Sequence, residues 1–199
     1  MLFPVPPERP VPPSIARVRG VDAIADIAAA DWDTCAGSDN PFVSHAFLAA
    51  MEDSGSVSLR TGWVPRHLVA ESSDGRIVGT VPLYLKGHSW GEYVFDQGWA
   101  DAFQRAGGAY YPKLQGAVPF TPVPGPRLLV APDAPPDTRR KLAEALVETV
   151  KRLGLSSVHL TFVADADMEA LLAVGFLERH GYQFHWQNRG YSSFDDFLG

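Results

Sequence analysis

Between Thr138 and Val163 the apolar period changes once, and that change constrains the fold more than any other feature of the chain. Leu142, Leu146, Val150 and Leu153 recur at helical spacing. Lys151 and Arg152 suit a C-terminal dipole, and Gly154 supplies a stop. Val158, Leu160 and Phe162 then alternate through Ser156 to Val163, the period of a half-buried strand. An amphipathic helix that feeds a one-sided strand after two or three residues has to pack on a sheet. The helix start falls at Asp137 or Thr138.

The remaining segments extend that layout. Ile15 to Val18 reads as a short strand. Asp22 is placed to cap a helix whose Ile24, Ile27, Ala28, Trp32 and Cys35 share a face. Ser44 caps a second helix bearing Phe47, Leu48 and Met51. His67 to Glu71 and Arg76 to Val81 are strands joined by Asp74-Gly75, a pair suited to a turn with positive φ. The second strand can continue to Lys86, with a bulge or edge at Pro82, which has no amide hydrogen. Trp99 to Arg105 forms a short helix that stops at Gly107-Gly108. Asp165 or Asp167 caps a helix over Met168 to Val174. Tyr182, Phe184 and Trp186 alternate with Gln183, His185 and Gln187 as a last strand, and Ser192 or Ser193 opens a final helix at Phe194. The expected architecture is α/β or α+β around a mixed, mostly antiparallel sheet. Its expected core includes Val69, Ile77, Leu142, Leu146, Val150, Val158, Leu160 and Phe162.

Composition bounds the function. The chain has 199 residues, 46% of them hydrophobic and 20% charged, enough for one real core. A net charge of −6 offers no diffuse basic field to nucleic acid, so no DNA partner is expected. No apolar run is long enough to span a membrane. Six of the 17 prolines lie in the first 13 residues, which read as an extended arm (1–14) and not as a secretory leader. That start, with a single cysteine, points to the cytoplasm. Cys35 alone cannot form an intrachain disulfide and reads as a small buried hydrophobe. No two histidines stand four residues apart, and no Gly-x-Ser-x-Gly elbow occurs, so neither a helical metal site nor that hydrolase chemistry is expected.

Residues 84 to 121 concentrate the polar-aromatic chemistry. Tyr84, Lys86, His88, Trp90, Glu92, Tyr93 and Lys113, with Arg127 beyond them, are the substrate-binding candidates. Cations there suit phosphate or carboxylate, and rings suit a sugar or peptide. The same residues also suit a second small core with its polar atoms turned to water. His185, on the polar side of the last strand, is the single candidate general base, or else a hydrogen-bonded interface histidine. The catalytic residues are otherwise unassigned.

Several segments resemble the FemAB-like branch of the GNAT acyltransferases. They are Asn40-Pro-Phe-Val-Ser44, Gly62-Trp-Val-Pro-Arg-His67, Val81-Pro-Leu-Tyr-Leu-Lys86, Gly91-Glu-Tyr-Val-Phe-Asp96, Tyr110-Tyr-Pro-Lys-Leu114, Pro119-Phe-Thr-Pro122, Gly125-Pro-Arg127 and Phe184-His-Trp186. The resemblance implies a GNAT-like domain over 15–191. It also implies that 192–199 begin a helix leading to a second GNAT-like half. The function it implies is the N-terminal half of an acyl- or aminoacyl-transferase, acting on a peptidoglycan precursor or similar amine. The full protein would use aminoacyl-tRNA or acyl-CoA as donor. A catalytically silent binding half-domain and a free-standing CoA-dependent N-acetyltransferase are the alternatives.

The acetyl-CoA pattern of GNAT enzymes needs glycine-rich amides at a helix start. Gln104-Arg-Ala-Gly-Gly-Ala109 matches it as text but follows a helix. The linker in the expected position, Ala131-Pro-Asp-Ala-Pro-Pro-Asp137, has no glycine, three prolines and two acids. No cofactor is therefore expected on this half. A missing partner lobe would leave an apolar patch near Phe194, Phe197 and Leu198, and a homodimer is expected to cover it.

Overall fold

The computed structural model describes residues 14–199; the proline-rich arm expected at 1–14 lies almost wholly outside them. Two four-stranded sheets carry the fold. The first has the order β1-β3-β4-β7 and is antiparallel throughout: β1 Ile15–Val21, β3 His67–Ser72, β4 Ile77–Val81 and β7 Leu129–Val130. The second has the order β2-β5-β6-β8: β2 Trp63–Pro65, β5 Leu83–Lys86, β6 Lys113–Gly116 and β8 Val158–Leu160. Only its β6–β8 pair is parallel.

Pro82 divides the expected long strand between the two sheets. It cannot donate to a ladder, so the antiparallel sheet ends at Val81 and the second begins at Leu83. The joint is held by His67. Its Nδ1 accepts the Leu83 amide at 3.3 Å, and its Nε2–H donates to Glu52 at 2.9 Å.

Helices cover both faces of the first sheet. Helix α1, Ala29–Ala36, packs with α2, His45–Asp53, around Trp32, Cys35, Leu48, Val69 and Leu129. Helix α4, Thr138–Leu153, lies on the other face, where Leu68, Ala70 and Leu128 meet Leu142 and Leu146. The approach is close at Gly79: a Cβ there would stand 2.9 Å from Thr138 and 3.0 Å from Leu142. Helix α3, Gln97–Arg105, and helix α5, Asp165–Ala173, complete the body, and a short helix α6, Phe194–Leu198, follows. Among the described residues no helix is long and apolar enough to cross a membrane.

The caps at Ser44 and Ser193 form as expected, each accepting a backbone amide of its helix. The helix expected from Asp22 does not form as one piece. A 3-10 turn occupies Ile24–Asp26, Ile27 is extended, and α1 starts at Ala29. His45 Nε2 stands 3.1 and 3.0 Å from the Ile24 and Ile27 carbonyls, and Glu52 accepts the Ile24 amide. Backbone groups that a helix would use are thereby taken by side chains of α2. Asp22 pairs with Arg66 instead.

The last strand expected at 182–187 is also absent. Tyr182 and Phe184 are fully exposed, and among the described residues no neighbouring strand completes a ladder for them. Of the expected core, Val69, Leu142 and Leu146 are buried. Ile77, Val150, Val158, Leu160 and Phe162 are half-buried. Val158 and Leu160 lie on an edge strand, which explains their partial exposure.

Candidate functional site

Register assigns the residues of the second sheet to two chemically distinct faces. Trp63, Lys86 and Lys113 lie across one row, and Pro65, Tyr84, Gln115 and His159 across another on the same face. Val64, Leu85, Leu114 and Val158, with Leu83 and Leu160, take the opposite face, where the leucines and valines other than Val64 join the core under α4 and α5. The apolar face builds the fold. The polar-aromatic face builds the site.

Trp63 is the centre of that face. Its indole is fully buried, with the Lys86 ammonium 3.7 Å from the ring centroid. The Trp90 carbonyl accepts from both Trp63 Nε1, at 3.2 Å, and Lys86 Nζ, at 3.1 Å. Two rings pack against Trp63, Phe120 at 5.4 Å and Tyr84 at 5.3 Å between centroids. Phe120 has φ +56, a rare conformation for a large side chain. Its place depends on Gly91: a Cβ there would stand 2.5 Å from the Phe120 ring.

Phe120 forms one wall of an open groove of about 450 Å³, lined also by Met51, Ser54, Gly55, Ser56, Arg60 and Thr61. The groove combines an aromatic platform, three hydroxyls and an exposed guanidinium. Among the described residues none of its lining side chains is a carboxylate or histidine. A second concavity, about 470 Å³, is formed by Trp186, Asn188, Tyr191, Ser193, Phe194 and Phe197 of the C-terminal segment itself.

Behind Trp63 lies a buried ionic network. The Lys113 ammonium donates to Ser89 at 2.9 Å, Glu92 at 2.8 Å and Asp96 at 2.7 Å. Ser89 and Tyr110 also donate to the same Asp96 oxygen, and Ser89 shares a hydrogen bond with Tyr111. Burial opposes the charge on Asp96, yet these three donors hold its carboxyl below the usual range. Burial raises Glu92, with Lys113 only partly opposing it. Burial also pushes Lys86 down to about 8; Glu92 opposes the fall and Lys113 adds to it.

The structure corrects the expectation that the candidates face a ligand together. Lys86, Glu92 and Lys113 converge, but below the surface, and Tyr84 is sealed under Trp63. The insert folds back over its own charges because isolated ions cannot be buried without partners. Trp90 and Tyr93 are exposed, and His88 is half-buried beside Gly62. Arg127 lies elsewhere and is fully buried. Its guanidinium donates to the carbonyls of Val123, Gly125, Pro126 and Thr161, so it ties a loop to the end of β8. His185 is exposed and meets only Gln183 at 3.0 Å. The groove residues Ser54, Ser56, Arg60 and Thr61 were not singled out by sequence. Their signal is the serine- and threonine-rich stretch from Ser54 to Thr61.

The family model of FemAB-like proteins, described as peptidoglycan biosynthesis/recognition, matches residues 23–199. This chain belongs to the FemAB-like family. Among solved structures it resembles the aminoglycoside N-acetyltransferase AAC(6')-Iy in complex with CoA. The identity is 14% and the TM-score 0.53, covering 91% of this chain and 99% of that one. A Trypanosoma brucei acetyltransferase gives 18% and 0.47, covering 86% and 99%. A Drosophila melanogaster polyamine N-acetyltransferase gives 16% and 0.47, covering 80% and 81%. No curated protein sequence matches the chain. The likeness to AAC(6')-Iy shows the acetyltransferase fold.

In this FemAB-like chain the N-terminus of α4 is occupied by its own linker. The Pro135 carbonyl accepts the Thr138 amide at 3.0 Å and its hydroxyl at 2.7 Å. Pro135 and Pro136 have no amide hydrogen to offer, and Asp133 pairs with Arg76 at 2.6 Å. The Gly107 and Gly108 amides close on the Gln104 and Phe103 carbonyls as a helix end.

Proposed function

We propose that this FemAB-like chain is the acceptor-recognition lobe of an acyl- or aminoacyl-transferase, and that its groove holds a peptidoglycan-type saccharide bearing the acceptor amine. The observation that carries this reading is the groove itself. Phe120, fixed by Gly91 and Trp63, presents a ring for a sugar face or peptide side chain. Ser54, Ser56 and Thr61 suit hydroxyls and amides, and Arg60 suits a carboxylate or phosphate. The family description, peptidoglycan biosynthesis/recognition, supports the substrate class.

Aminolysis of an ester or thioester needs a base and oxyanion donors. Among the described residues the groove lining contains no base. We assign the base and the donor, aminoacyl-tRNA or acyl-CoA, to a second lobe. The linker before α4 supports that division, since its prolines and acids oppose pyrophosphate binding.

Calorimetric titration with a soluble muramoyl peptide tests the reading. Saturable binding is expected, weakened roughly tenfold by Phe120→Ala and again by Arg60→Ala. Absence of binding, or binding indifferent to both changes, overturns it. In a separate thermal-shift experiment, acetyl-CoA is expected to leave the melting temperature unchanged, because a ligand stabilises only what it binds. A saturable rise would reassign this lobe as a donor-binding acetyltransferase.

A further inference from the structure

Strand β8 is the edge of its sheet, and its outer side is open among the described residues. In its parallel pair with β6, the Ser157 carbonyl accepts the Leu114 amide and the Thr161 amide donates to the Gly116 carbonyl. Alternation therefore turns the backbone groups of Val158 and Leu160 away from β6, toward the open side. An edge of this kind is a template for an added strand.

The same chain carries a segment suited to fill it. Tyr182 to Gln187 alternates aromatic and polar residues with period two, contains no proline, and has no ladder partner among the described residues. Two contacts tie the segment to other parts of its own chain. The Arg179 guanidinium stands over Trp99 at 5.3 Å, and the Gln183 amide donates to the Pro122 carbonyl at 2.9 Å. Beyond them Tyr182 and Phe184 are fully exposed, and Trp186 packs on Tyr191 and Phe197 of the same segment. Residues 177–191 carry Arg179 and Arg189 against one acid, Glu178, on a chain of net charge −6. The segment is thus attracted to the body of another copy.

We propose that residues 182–187 of one copy add as a strand to the β8 edge of a second copy, and that reciprocal exchange closes a two-fold dimer. The exchange satisfies the backbone groups of the edge and the segment together. It covers Val158 and Leu160 with the aromatic side chains of the partner.

Sedimentation of the full chain, with hydrogen exchange of the 182–187 amides, tests the proposal. The expected mass at tens of micromolar is twice that of the 21.6 kDa chain, with alternate amides of the segment protected. His185→Pro removes a ladder donor at an exposed position and is expected to raise the dimer dissociation constant by about tenfold or more with unchanged thermal unfolding of the body. A monomer throughout overturns the proposal. So do a monomer with protected amides, meaning closure onto its own edge, and a dimer indifferent to His185→Pro.

Discussion

Lys113→Met is expected to destabilise the protein by about 3–5 kcal/mol, a large share of the roughly 5–15 kcal/mol that holds a domain folded. The reason is the asymmetry between burying a charge pair and breaking one. The Lys113 ammonium is fully buried and supplies donors to Ser89, Glu92 and Asp96 at once. Its removal leaves two buried carboxylates facing one another. Glu92 and Asp96 each already have one buried oxygen without a partner, so no spare donor stands ready to compensate. Adding Glu92→Gln and Asp96→Asn to Lys113→Met should restore part of the loss, because neutral amides need no counter-charge.

Lys86→Met provides the contrast. Lys86 lies beside Lys113 in the register and is equally buried, but it forms no ion pair within salt-bridge distance among the described residues. It rests on the Trp63 ring and donates to one carbonyl. Methionine retains most of that packing and removes a costly buried charge, so a change within about 1 kcal/mol is expected. Urea unfolding of both variants decides the matter. Equal losses would mean that the network does not carry the energy assigned to it.

Acidification from pH 7 to about 4.5 is expected to cost about 2–3 kcal/mol through His159 alone. Burial, reinforced by Lys113, pushes this imidazole down to about 4, with Asp96 opposing the fall. Its folded value is thus below the unfolded value near 6.5. Between the two, the unfolded chain binds the proton and the folded chain resists it. Stability therefore falls as pH drops through that window. Glu92, raised by burial, acts in the opposite sense near its own range, and Asp96, lowered, adds to acid loss. The comparison that isolates His159 is His159→Gln, which should flatten the slope between pH 6.5 and 4. An unchanged slope in the variant would show that the imidazole does not carry it.

Much of the fold was legible because its signals are local. The stripe Leu142, Leu146 and Val150 ending at Gly154 needs only a helix's own geometry to be read, and α4 ends with Gly154 at φ +63. The Asp74-Gly75 turn, with Gly75 at φ +84, joins β3 to β4, and the Ser44 hydroxyl caps α2. The segment from Asp22 misled because its competition is non-local: His45 and Glu52, twenty or more residues away, claim the Ile24 backbone. The segment at 182–187 has a strand's alternation, but alternation specifies only which faces a strand would have. A ladder also requires a neighbour.

The candidate site divides along the same line. Legible in the chain alone are the concentration of rings and charges over residues 84–121 and the lack, in the linker before α4, of the amides a pyrophosphate needs. Those properties follow from residue type and period. Which of those charges meet water is settled by contacts between distant segments. Lys86, Glu92 and Lys113 are buried because Ser89, Asp96, Tyr110 and the Trp90 carbonyl close over them. Arg127 is spent on four backbone carbonyls, and Arg60 with the hydroxyls at 54, 56 and 61 faces the groove beside Phe120. The physical reason is that a charged side chain's exposure depends on the donors and acceptors brought to it from distant segments, and spacing along one segment does not encode them.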